Sequence, residues 1–120
     1  MDAASATTDQ GGSLDDAIAM WRVFDVGLVH ANDAAIGVEF RDAADAVYGF
    51  YDDTTATVYI NVRVVDRAPR AIAIAHELGH ALGLAHVTNR ASVMNPGNLT
   101  VVPNADDAAA LAAVWGGCAR

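Results

Sequence analysis

Apolar positions along the chain repeat with two different spacings, and the change of spacing marks the elements. Leu14, Ala17, Ile18 and Trp21 fall on one helical face, behind Ser13 and Asp15-Asp16 as a start, which predicts a helix from about 13 to Val23. Val26–Val29 is a short apolar run. Ile36, Val38 and Phe40 alternate with polar or small residues, as in a half-buried strand. Val47–Tyr51 and Thr57–Val62 are rich in β-branched and aromatic residues and flank Asp52-Asp53-Thr54-Thr55, a hairpin pattern. Pro69 suits the first turn of a helix running to about Leu82. Ala71, Ile72, Ala75, Leu78, Leu82 and Leu84 cover more than one face of it, so burial on several sides is expected. Residues 87–104, punctuated by Asn, Gly and two prolines, read as a loop, and Asp106 to about Trp115 as a last helix. Residues 1–12 show no apolar period and read as a flexible tail. The order implies an α+β domain: a small twisted sheet packed on two helices, with a cleft below an edge strand. Either Thr57–Val62 or Val47–Tyr51 could form that edge.

The chain has 120 residues, 53% of them hydrophobic, which is enough for one domain with a core that needs no disulfide. No apolar run approaches the ~18 residues that would argue for a membrane span. The net charge is −8, and all seven basic residues are arginine. Nucleic-acid binding, which needs a basic surface, is therefore not expected. The single Cys118 follows Gly116-Gly117 near the end and reads as an incidental thiol or a dimerising contact. Residues 1–13 lack the basic start and apolar stretch of a signal peptide.

The chemistry is concentrated at 76–86, HELGHALGLAH. His76 and His80 are one turn apart on one helix face and can bind one metal together. Glu77 lies beside the first ligand, where its carboxylate can serve a metal-bound water instead of the metal. Gly83 can adopt the left-handed conformation that ends a helix, and that turn would bring His86 round as a third ligand. Three protein ligands leave a fourth tetrahedral position open, the catalytic arrangement for zinc. Three of the four histidines in the chain are in this stretch, which leaves His30 outside it.

Here the chain resembles the metzincin metalloproteases, and most closely a compact, matrixin-like peptidase. The resemblance rests on Ala75–Leu84, on Ser92-Val93-Met94-Asn95-Pro96, and on Asp106-Asp107 followed by an apolar run to Trp115-Gly116. It is specific over residues 71–116 and loose over 14–62. It implies a zincin-like fold in which Met94 forms an apolar floor beneath three imidazoles. Asp107 would hydrogen-bond the methionine turn, although paired aspartates also suit a helix start by capping and dipole alone. The sequence departs from the matrixin pattern at Val87 and Asn95, and the segment from Gly49 to Ile72 is too short for that family's long metal-binding loop. The strand that opens matrixin domains is not visible in residues 1–13, so a sheet of about four strands is expected.

The resemblance implies one domain over 13–118, divided into 13–83 and 84–118. It further implies one catalytic Zn2+ at His76, His80 and His86, with Glu77 as general base and Gly83, Met94 and Asp107 as support; matrixins also hold a second, structural zinc, which is not expected here because only His30 remains outside the motif. Asp33, Asp42, Asp45 and Asp52-Asp53 offer oxygen ligands to Ca2+, though scattered aspartates are ordinarily a solvated surface. The expected activity is a zinc-dependent endopeptidase acting on peptide or protein substrates as a monomer, without membrane partners. Secreted or extracellular location follows from resemblance only. Residues 96–99 would wall the pocket for the side chain after the scissile bond. The alternative is a weakly active or latent metal-binding module that acts by binding protein, including a form whose tail occupies the open metal position through Asp2 or Asp9.

Overall fold

Thr7 opens the first helix: its hydroxyl accepts from the Gln10 amide, and the Gln10 side chain accepts from the Thr7 amide. This reciprocal capping box satisfies two amides that a helix start leaves without partners. The helix α1 therefore spans Thr8–Arg22 and begins earlier than the apolar period suggests. Residues 8–12, expected in a tail, are its first turns. The computed structural model describes residues 7–24, 26, 36–44 and 47–115. Residues 1–6 of the expected tail, most of the Val26–Val29 run, His30, Asp33, Asp45, Gly116 and Cys118 lie outside them.

The strands are β1 (Gly37–Arg41), β2 (Gly49–Asp52) and β3 (Thr57–Asn61), followed by α2 (Arg67–Ala81) and α3 (Ala105–Trp115). Among the described residues the sheet has three strands in the order β1-β3-β2, one fewer than expected. β1 runs parallel to β3 with Val38 opposite Val58, and β2 runs antiparallel to β3 with Phe50 opposite Tyr59. The hairpin between β2 and β3 is as expected. Asp52 accepts from both the amide and the hydroxyl of Thr54 and so shapes its turn. β3 is central, which leaves β2 as the edge next to the cleft. Asn61 extends the order beyond β3, donating to the carbonyls of Ala43, Ala44 and Val47.

One core joins the layers. Leu14, Ala17, Ile18 and Trp21 of α1 meet Ile74, Ala75 and Leu78 of α2, with Val38, Val58 and Ile60 from the sheet. Every residue from Arg70 to Gly79 is buried, as the many-sided apolar pattern of this helix requires. Two polar ties fix α1 on α2: Trp21 Nε1 donates to the Ala75 carbonyl at 3.1 Å, and Ser13 Oγ to the Arg67 carbonyl at 3.0 Å. Arg70 is buried, yet its guanidinium is well matched. It donates to the carbonyls of Val64 and Val65 and to Asp9, locking the entry of α2 against α1.

Candidate metal centre

The third histidine is delivered by the way α2 ends. Leu82 caps the helix, and Gly83 follows at φ +106°, a conformation that favours glycine. The Leu84 amide donates to the Gly79 carbonyl at 2.9 Å and the Gly83 amide to the His80 carbonyl at 3.0 Å. These paired bonds are a Schellman motif, which consumes two otherwise free carbonyls and reverses the chain. A Cβ at Gly83 would also come within 2.9 Å of Val114 on α3. His86 emerges from this reversal opposite His76 and His80.

The three imidazoles converge. His76 Nε2 lies 3.2 Å from His80 Nε2 and 3.3 Å from His86 Nε2. Nitrogens about 2.0–2.1 Å from a tetrahedral zinc are about 3.3–3.4 Å apart, so this spacing fits. The tautomers fit as well. His76 Nδ1 is 2.6 Å from the Val93 carbonyl and His80 Nδ1 is 2.8 Å from the Leu84 carbonyl. A carbonyl can only accept, so both Nδ1 atoms carry protons and the neutral rings turn bare Nε2 lone pairs towards each other. Two lone pairs at that distance repel unless a cation lies between them. Burial holds the His76 and His80 imidazoles below the usual histidine range, favouring the neutral form that ligates metal. These three residues are able to hold a metal ion.

Glu77 points into the same cleft, with Oε2 3.9 Å from His76 Nε2. Burial alone pushes its carboxyl up to about 7.

Beneath α2 the chain runs through Ser92, Val93 and Met94, all buried. Met94, 1% exposed, presses its sulfur against α2 at Gly79, where a Cβ would collide with it. Asp107 ties this segment to α3. Its carboxylate accepts from Ser92 Oγ, from the Val93 amide at 3.1 Å and from the Asn104 amide at 3.0 Å. The Asp107 amide donates in turn to Asn104 Oδ1 at 2.8 Å, closing a capping box at the start of α3. One continuous path thus runs from α3 through Asp107 and Val93 to the His76 ring. Val87 and Asn95, the two departures from the matrixin pattern, meet each other: Asn95 Nδ2 donates to the Val87 carbonyl at 3.1 Å.

The structure brings together His76, Glu77, His80 and His86; Gly83 turns the chain towards His86, Met94 packs on Gly79, and Asp107 holds the Val93 amide. It does not bring Asp9 there, since that carboxylate accepts from Arg70 at 2.7 Å. Asp2 lies outside the described residues. Asp42 pairs with Arg63, and Asp52 accepts from Thr54. The packing of Gly79 and the roles of Ser92 and Asn104 as partners of Asp107 were not expected from the sequence. Asn104, three residues before Asp107, carries the one readable signal, that of a capping box.

The cleft has two lobes, of about 240 and 500 Å³. Pro96, Gly97 and Asn98 wall the smaller, with Tyr48 and Ala73, whereas Leu99 lies elsewhere. Phe50, Tyr51 and Asp53 line the larger.

Residues 67–116 match a family model described as Matrixin. No curated protein matches the chain. The match covers part of the domain, and together with the histidine group it supports a metzincin-like peptidase at the level of class.

Proposed function

We propose that the protein is a zinc-dependent endopeptidase. The observation that carries this reading is the convergence of three Nε2 atoms with a buried glutamate beside them. His76, His80 and His86 would hold the metal. Zinc, when bound, supplies Lewis acidity and lowers the pKa of its water from ~15.7 towards ~7. Glu77 takes the proton from the attacking water and passes it to the leaving amine. Ser92–Pro96 acts as the methionine turn, with Met94 as its apolar floor and Asp107 as its anchor.

An extended peptide joins the free edge of β2, whose unpaired backbone groups offer hydrogen bonds. Pro96, Gly97 and Asn98 wall the pocket for the side chain after the scissile bond. The protein works as a monomer on peptide substrates, and the extracellular setting of the family fits that role.

Zinc should be counted in the purified protein, and cleavage of a mixed peptide library followed with and without chelator. We expect one tight zinc per chain and cleavage that chelator abolishes. Glu77→Ala should keep the zinc and lose turnover, because the carboxylate works on water. Near-normal hydrolysis by Glu77→Ala would show the general base to be wrong. Bound zinc without cleavage of any peptide by the intact chain would favour the binding-module alternative, to which the partial family match and small sheet also lend weight.

A further inference from the structure

The two lobes of the cleft differ in chemistry. The lobe beside Pro96 and Gly97 is mostly apolar, with Val47, Tyr48 and Ala73 in its wall. The lobe beside His80 carries Phe50, Tyr51 and Asp53, and among the described residues no arginine lines either one. Asp52 is committed to Thr54. Asp53 is exposed, and among the described residues its carboxylate has no hydrogen-bond or ion-pair partner. In the same lobe, Phe50 on the edge strand is 53% exposed, and its ring is held by stacking on Tyr59 at 4.8 Å between centroids. This aromatic strip already accepts one guanidinium: Arg41 sits 4.6 Å from the Tyr59 ring centre. A free carboxylate that lines the same lobe as an oriented aromatic ring suits a cationic side chain, which can pair with the first and lie over the second.

The direction of the substrate follows from the peptidase reading, on which this inference rests. β2 runs from Gly49, beside the apolar lobe, towards Asp53. If the apolar lobe takes the side chain after the scissile bond, the residues before it lie along Phe50–Asp53, and the peptide runs antiparallel to β2. We propose that Phe50 and Asp53 make the protein select arginine or lysine on the N-terminal side of the bond it cleaves.

The test uses the zinc-loaded full chain and peptidyl hydroxamates, whose hydroxamate binds zinc and whose peptide extends before it. Each compound carries one arginine, or its neutral isostere citrulline, at one of the three positions before the hydroxamate. Affinity is read by calorimetry, so no turnover is needed. At one position the arginine compound should bind about fivefold tighter at low ionic strength. That gap should shrink with added salt and close in Asp53→Asn. Equal affinities at all three positions overturn the proposal, as does a gap that Asp53→Asn leaves intact. Failure of every hydroxamate to bind the zinc-loaded chain overturns both this selectivity and the open zinc position that the peptidase reading needs. Discrimination by a protein that cleaves no peptide upholds the selectivity and removes the peptidase reading instead.

Discussion

At Gly79 the usual rule for a helix interior is reversed. Replacing glycine by alanine in a helix ordinarily stabilises by about 1 kcal/mol, because the chain loses less freedom on folding. Here a Cβ would meet the Met94 sulfur, with Trp21 close by. Gly79→Ala should therefore destabilise by about 1–3 kcal/mol, the range for overpacking a core. In a Met94→Ala background the same change should become neutral or stabilising. Urea midpoints of the four proteins decide it, and a stabilising Gly79→Ala in the parent would refute the packing. Glu77 makes a second residue-scale case. Its folded carboxyl near 7 lies above the ordinary 4.5, so folding favours the protonated form. That contribution is fully present below pH 4.5 and is lost as pH rises towards 7. Metal-free Glu77→Gln should thus exceed the metal-free parent in stability by about 3 kcal/mol at pH 8. The gap should close towards pH 4.5 in chelator, and a gap independent of pH would contradict the burial. None of this was readable at Gly79, where sequence shows only an unspecified position of the zinc motif.

Among the elements, α2 and its end were legible because everything that shapes them is local. The histidine spacing, the glycine stop and the return to His86 span eleven residues, 76–86, and short-range geometry suffices. The start of α1 was missed because a capping box, Thr7 with Gln10, holds a first turn that contains no apolar residue. The sheet order was not legible either. β1 reaches β3 across the intervening β2, a pairing set by long-range packing and not by pattern. α3 depends on one side chain in the same long-range way. Asp107 caps it and also receives Ser92 Oγ and the Val93 amide. Asp107→Ala should cost about 2–4 kcal/mol, since it leaves several buried donors unpaired. It should also weaken zinc binding about tenfold, because the Val93 carbonyl that orients His76 loses its anchor. Chelator competition measures the second effect separately from the first. Unchanged zinc affinity would mean that the path from α3 to His76 carries no positional constraint.

For the molecule as a whole, the metal centre is a seam. α2 supplies two of the three histidines able to hold a metal ion, the chain beyond its end supplies the third, and Asp107 on α3 braces Val93, whose carbonyl meets His76. Metal binding should therefore stabilise the entire fold. Zinc at a thousandfold over its dissociation constant adds about 4 kcal/mol. Chelator should lower the urea midpoint of the parent and of Glu77→Ala alike, and should leave that of His80→Ala unmoved. A parent whose midpoint ignores chelator would contradict a folded-state metal site. The orientation of the two helical ligands has one more implication. Their Nδ1 protons are received by the main chain, at Val93 and Leu84, and not by side chains. Every amino acid carries that acceptor, so no substitution at either position deletes it. An alanine scan would pass over both positions as far as this role goes, although they decide which nitrogen faces the metal. The side chains of Val93 and Leu84 can drift while both acceptors stay in place, and an altered backbone there, such as an ester in place of an amide, would weaken the acceptor itself.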